Sequence, residues 1–474
     1  MNAEAAARAL VRTGHVTVRR TLNRVSRACL ACLFLLTSAC ANLTAVDEPL
    51  KEWSPEIARE MSEQVAGDRS SEMLVLVAFS GGGTRAASFA YGVLQELEGS
   101  TISTGAGTRS VLDEVDIISS VSGGSFTSAY FGLRGERIFG EFEERFLRKD
   151  VEGALLLQVV RPVNWFRLLS STYGRADIAA RYYSDHIFDG AAFSDLRRAD
   201  GPFVIINSTD LATGNRFSFT PAGFDPICAD LAQYPLSRGV AASSAVPVVF
   251  SPITLKSYAG SCGYEPPAWL GAALNDAGST TRKLEARSLE EYLDRKKRPW
   301  LHLVDGGISD NLGLRAFYDA VTLIGNPRVA FGDLGHPGVR QILIISVNAN
   351  VSPRPEWPLE QAAPTLAEVV GSVSSDEIAR YSVDTLELVR SSYGRWTEQM
   401  STPERPVTLD FVEVSFDAIN DDTERTYLNN IGTNFHISDE QVDRLIAAAR
   451  ELLRESPQFQ AFIERNRPDV TPKP

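Results

Sequence analysis

An α/β fold with a mostly parallel central sheet and flanking helices is predicted by three observations. Three strand-like apolar segments each end in a small polar loop: Met73–Phe79 before Ser80-Gly81-Gly82-Gly83-Thr84-Arg85, Val115–Val121 before Ser122-Gly123-Gly124, and Trp300–Val304 before Asp305-Gly306-Gly307. The first is continuously apolar, as strands buried on both faces of a parallel sheet are, and helical spacing follows it in Ala86, Ala87, Phe89, Ala90, Val93, Leu94 and Leu97. Finally, 474 residues of which 44% are hydrophobic suit one large α/β domain with insertions.

The glycines after Phe79 open a helix, where free backbone N–H groups and the helix dipole favour negative charge. No G-K-[ST] follows, which excludes a P-loop. A dinucleotide cradle lacks a ribose-binding acid at a convincing distance. As an oxyanion hole, Gly81, Gly82 and Gly83 need a nucleophile on a neighbouring strand. Ser122 meets that need, because Val115–Val121, the serine and the small residues after it read as strand, sharp turn and helix. Ser120 stands where such turns commonly have their first glycine.

Between this helix and the next strand lies a long insertion carrying Phe139, Phe142, Phe146, Leu155, Leu156, Leu157, Trp165 and Leu168. Two readings stay open for it: helices packed on the sheet, or a lid or pocket sheltering acyl chains. Strands follow at 203–207 and, across Thr213-Gly214-Asn215, at 217–219. The stretch 265–299, with Arg295-Lys296-Lys297-Arg298, reads as a polar insertion with a solvated charged face.

Asp305 then closes an apolar strand and supplies the base that a weakly acidic serine hydroxyl requires. Histidine is the usual base. His302 lies three residues before Asp305, and the pleat turns it to the opposite face. His436 has the chain order of a Ser-acid-His triad, but it sits just outside Ser438-Asp439-Glu440-Gln441, a capping box for a helix running to Leu453. Strands at 341–347 and 407–414 complete the order.

With these motifs the chain resembles the bacterial patatin-like phospholipases. Val240-Ala241-Ala242-Ser243-Ser244-Ala245-Val246-Pro247 is similar to that family's A-S-x-A-x-P segment, and Asp305-Gly306-Gly307-Ile308-Ser309-Asp310-Asn311 to its D-G-G-x-x-D-N. The resemblance implies a patatin-like Ser-Asp hydrolase fold. It implies Ser122 as nucleophile, Asp305 as base, oxyanion donors at Gly81, Gly82 and Gly83, and cleavage of lipid acyl esters of the phospholipase A or lysophospholipase type, with no cofactor or metal. Arg85 matches the basic position of the family's glycine loop and is expected at the substrate. The reading from another class is a non-catalytic envelope scaffold of the same fold, against which the intact Ser122 and Asp305 argue.

Six arginines, the short apolar stretch Ala28–Leu36 and Thr37-Ser38-Ala39-Cys40 form a basic region, an apolar core too short to span a bilayer and a cleavage site. The run resembles a bacterial lipoprotein signal, with Cys40 acylated and, because Ala41 is not aspartate, an outer-membrane address facing the periplasm. The expected organisation is a lipoprotein signal peptide at 1–39, a linker at 40–72, the phospholipase-like domain with insertions at 73–350 and a C-terminal α/β extension packed on the same domain at 351–474.

Removing the six arginines and Glu4 with the leader leaves 41 basic and 59 acidic residues, a net charge of −18. That excludes nucleic acid as a partner and argues against electrostatic adsorption to anionic lipid, so membrane phospholipids or lysolipids are met through the Cys40 anchor or an apolar patch. Cys228 and Cys262, 34 positions apart, either pair in an oxidising compartment or stay as two buried thiols.

Overall fold

The computed structural model describes residues 47–468 except 56–63, 66, 106, 169, 171–172, 352–360 and 362. The leader and Cys40 lie outside the described residues. The chain folds as a mixed, mostly parallel sheet between two layers of helices. Its strands are β1 (Met73–Phe79), β4 (Val115–Val121), β5 (Phe203–Asp210), β6 (Arg216–Phe219), β7 (Ile253–Lys256), β8 (Trp300–Asp305), β9 (Gln341–Asn348) and β10 (Thr408–Ser415). A separate hairpin is formed by β2 (Thr101–Thr104) and β3 (Gly107–Ser110). The helices that bear on the site are α1 (Gly83–Gly99), α2 (Gly123–Arg134), α3 (Val151–Val160), α4 (Pro162–Leu168), α5 (Arg175–His186), α6 (Leu236–Ser243), α7 (Leu366–Met400) and α8 (Asp439–Glu455).

The order β10-β9-β1-β4-β5 is parallel throughout. All seven β1 residues are buried because each face has its own helical layer. Met73, Val75, Val77 and Phe79 pack into the core shared with α1 and α2, whereas Leu74, Leu76 and Ala78 pack with Phe317, Val321, Tyr393 and Trp396 on the other face. β10 extends the sheet beyond residue 350, and α8 crosses α1 so closely that a Cβ on Gly92 would lie 2.5 Å from the Ile446 carbonyl oxygen. The capping box at Ser438 and Gln441 starts α8 as its sequence predicts.

The strand that ends at Asp305 runs antiparallel to β5, which makes the mostly parallel sheet mixed. β4 pairs with residues 203–207 of β5 and β8 with residues 208–210, while β6 pairs with 206–209. A strand has two edges, and β6 overlaps both partners, so β4 and β8 share the other edge and approach each other end to end. Val121 lies opposite Asn207, and Asp305 opposite the next residue, Ser208. An apolar strand reads the same in either direction, which is why the sequence does not disclose this.

Cys228 and Cys262 form a disulfide with Cα atoms 5.6 Å apart. Residues before the domain lie across it: Leu50 N–H donates to the Cys228 carbonyl and Trp53 N–H to that of Cys262, both at 2.8 Å.

Candidate active site

Ser122 sits between β4 and α2 at φ 49°, ψ −120°, a backbone region that non-glycine residues rarely enter and that costs on the order of 1–3 kcal/mol. Close packing holds the turn in place. A Cβ on Gly123 would meet the Gly83 carbonyl oxygen at 2.0 Å, and one on Gly124 would meet the Phe79 Cβ at 2.7 Å. Ser120 is accommodated where glycine is usual because its hydroxyl is spent within the core, 2.5 Å from Ser128 Oγ and 3.2 Å from the Ile205 carbonyl. The Ser122 amide donates to Ser243 Oγ at 2.8 Å, and the Ser243 hydroxyl donates to the Asn207 carbonyl at 2.6 Å.

The end-to-end meeting of β4 and β8 brings Ser122 Oγ to 2.9 Å from Asp305 Oδ2. The other carboxylate oxygen, Oδ1, accepts the Gly307 amide at 2.8 Å. The Asp305 backbone is fixed on both sides, by its amide donating to the Ala245 carbonyl at 3.0 Å and by Thr209 Oγ1 donating to its carbonyl at 2.8 Å. Burial pushes the Asp305 carboxyl up to about 6, against the opposing pull of the Gly307 amide and the Ser122 hydroxyl. A carboxylate with that value is deprotonated at neutral pH yet basic enough to accept a hydroxyl proton in a transition state.

Neither group is held by a histidine among the described residues. His302 is exposed and 3.0 Å from Thr254 Oγ1, His186 stacks on Tyr182, and His336 is buried beside Asp116, near the amino end of β4. His436 is exposed in the loop before α8.

The glycine loop abuts this pair, since a Cβ on Gly81 would lie 3.3 Å from Ser122 Cβ. Its three amides are not equivalent, which narrows the expected donor set. The Gly81 amide donates to the Asn311 carbonyl at 3.0 Å and is not available to an oxyanion. The amides of Gly82, at φ 141°, and Gly83, at φ 60°, carry no hydrogen bond among the described residues and remain free at the start of α1. Asn434 closes the loop from outside: its carbonyl accepts the Thr84 amide at 2.9 Å and leaves no room for a side chain on Gly83.

Arg85 is not where the sequence reading puts it. The side chain is buried, and its guanidinium donates to the carbonyls of Ala349 at 3.0 Å and Ile431 at 2.5 Å and to Thr433 Oγ1 at 3.1 Å. Burial lowers its pKa to about 10. It clamps the end of β9 and the loop before α8 onto the glycine loop, with each of its three nitrogens spent on a protein partner.

Ser243, Asn207 and Thr209 hold the turn and the acid, and Asn311 holds the glycine loop; none of the four has a role assignable from sequence. Ser243 and Asn311 stand inside the runs Val240–Pro247 and Asp305–Asn311; Asn207 and Thr209 carry no local signal, because their importance comes from β5 lying opposite both strand ends. Asp310, the second acid of the D-G-G-x-x-D-N run, turns away and accepts the Arg315 amide at 2.8 Å.

The patatin-like phospholipase family model matches residues 77–318, just over half of the chain, and this span contains Ser122, Asp305 and all three glycines. The chain belongs to the patatin-like phospholipase family. Among solved structures, this family member is similar to human GIVD cytosolic phospholipase A2, at 15% identity and a TM-score of 0.46 over 90% of this chain and 68% of that one. The same human protein in complex with methyl gamma-linolenyl fluorophosphonate matches at 15% identity and a TM-score of 0.45, over 89% of this chain and 66% of that one. No curated protein matches the sequence.

Proposed function

We propose that this patatin-like phospholipase is a lipid acyl hydrolase of the phospholipase A or lysophospholipase type, working through Ser122 and Asp305. The observation that carries the reading is the 2.9 Å hydrogen bond from a serine on a strained strand-to-helix turn to a buried carboxylate. In this reading Ser122 Oγ attacks the ester carbonyl carbon while its proton passes to Asp305 Oδ2. The oxygen that gains negative charge is received by the Gly82 and Gly83 amides. Collapse breaks the C–O bond to the alcohol, which leaves with the proton held by Asp305. Water then attacks the acyl-serine, gives its proton to Asp305, and the fatty acid departs as the proton returns to Ser122. A fluorophosphonate probe tests the first step: labelling of Ser122 together with fatty-acid release from phospholipid supports it, and an unlabelled, inert protein refutes it.

The proposal includes the address. Cleavage before Cys40 and acylation of that residue would tether the enzyme to a bacterial outer membrane on its periplasmic side. The Ser-Ala-Cys sequence after a basic, apolar leader supports this. Cys40→Ser should move the protein to the soluble fraction, whereas unchanged fractionation without an incorporated acyl chain would refute the anchor.

A further inference from the structure

The insertion between α2 and β5 satisfies only part of its apolar surface. Phe142, Phe146, Val151 and Leu155 are in the core, but Leu156 and Leu157 on α3 are 63% and 65% exposed, and Val160, Val163 and Trp165 are exposed beside them in sequence. The turn after α6 adds Val248 at 78% and Val249.

These two apolar groups are joined through α5. Arg175 at the start of α5 donates to the Val248 carbonyl at 2.7 Å, and α3 packs on α5. Ala245, three residues before Val248, holds the Asp305 amide. On the other side Glu152, in the first turn of α3, accepts the Phe435 amide at 3.3 Å, and the Phe435 ring lies against Phe126 of α2 and Phe250. The apolar groups thus lie next to the elements that hold Ser122 and Asp305: the Ala245 turn on one side and, through Phe435, α2 on the other.

Charge is distributed to match. In a chain with 60 acidic residues, none occurs from 153 to 176 or from 231 to 264, the two stretches that carry these apolar groups. The first contains Arg161, Arg167 and Arg175, and none of the three pairs with a carboxylate among the described residues. Exposed Leu, Val and Trp beside unpaired arginines, in a segment stripped of acids, have the composition of a surface that enters a lipid headgroup layer.

We propose that α3, α4 and the Val248–Val249 turn form a docking surface for anionic phospholipid bilayers, laying the active-site opening against the membrane independently of any acyl anchor. The net charge of the whole chain argues against adsorption, but residues 153–176 and 231–264 contribute no acidic group to it, and Glu152 at the start of α3 is engaged by the Phe435 amide. The proposal rests on the reading of the site as a lipid hydrolase for its purpose, and its test does not need turnover.

The test uses the full chain carrying Cys40→Ser, so that no acyl group holds it, and Ser122→Ala, so that vesicles stay intact. The protein should co-sediment with vesicles of equimolar phosphatidylglycerol and phosphatidylcholine more strongly than with phosphatidylcholine alone. Adding Leu156→Asp and Trp165→Ser should weaken binding about tenfold or more, with the unfolding midpoint unchanged because both side chains are exposed. Failure of the parent to bind, or equal binding by the four-site variant, overturns the proposal. So does a parent dimer that these two substitutions dissociate, since a second copy would then be the occupant. Ester hydrolysis is measured separately on the chain with Ser122 intact, using a dissolved short-chain ester; its absence refutes the hydrolase and leaves the vesicle result standing.

Discussion

Asp305→Asn is expected to abolish ester hydrolysis and to stabilise the fold at alkaline pH while destabilising it at acid pH. Burial places the Asp305 carboxyl at about 6 in the folded protein, against an ordinary value of 3.8. A shift of about two units is worth about 3 kcal/mol between the two protonation states. Because the folded value is the higher one, the native state holds the proton more tightly. Its stabilising contribution is complete below about pH 4 and is lost as the pH rises through about 6. Above about pH 7 the wild type therefore carries the whole cost of a buried carboxylate. A neutral asparagine avoids that cost, but it brings an NH₂ group into a place built for two acceptor oxygens, which costs about 1–2 kcal/mol at any pH. The balance is a gain of about 1–2 kcal/mol at pH 8 and a loss of similar size at pH 4. Unfolding midpoints of the two proteins, followed by circular dichroism at both values, check the reversal. A variant equally destabilised at both would mean that the carboxylate is not under desolvation strain.

Other expectations follow from the same geometry. The hydrolysis rate should rise with pH through about 6 and level off above about 7, since Asp305 must be ionised to accept the serine proton; a profile still rising at pH 8 would implicate another base. Ser122→Ala should reduce turnover by on the order of 10⁴-fold or more, and combining it with Asp305→Asn should add little, whereas His436→Ala should keep most activity, as steady-state assays would show. Arg85→Lys loses the three-way hydrogen bonding of a planar guanidinium and should lower stability by roughly 2–4 kcal/mol; because those bonds go to Ala349, Ile431 and Thr433 and hold the glycine loop, kcat should fall while KM stays, and a raised KM alone would restore the substrate-binding role. Reducing the Cys228–Cys262 disulfide should cost roughly 3–4 kcal/mol in the chain-entropy model and free the strap at 47–53, read as a lower midpoint and faster proteolysis there.

The strands and the three polar loops were legible because each signal is local: an apolar run, then residues small enough for a tight turn. Ser122 and Asp305 were legible for the same reason. What the sequence did not disclose depends on partners far along the chain. The Gly81 amide is taken by Asn311, and Arg85 is consumed by Ala349, Ile431 and Thr433, none of which is near the glycine loop in sequence. The long insertion illustrates a different limit. Leu155, Leu156 and Leu157 are equivalent as letters, and only the packing of α3 shows that the first is core and the other two face solvent.

The head-on meeting of β4 and β8 has a consequence for how this architecture tolerates change in chain length. The register of β8 is set by β7 at residues 300–303 and by β5 at residues 303–305, and the Asp305 amide is held by Ala245, rather than by the length of the path between residues 257 and 299. That segment can change length as long as Tyr292 and Arg298, which hold Asp210 of β5 opposite Leu303, keep their places. Within β8 the tolerance vanishes, because a deletion of one residue would turn the side chain at the end of the strand to the opposite face. Length variation among relatives should therefore accumulate in the segment before Trp300 and stop abruptly at it.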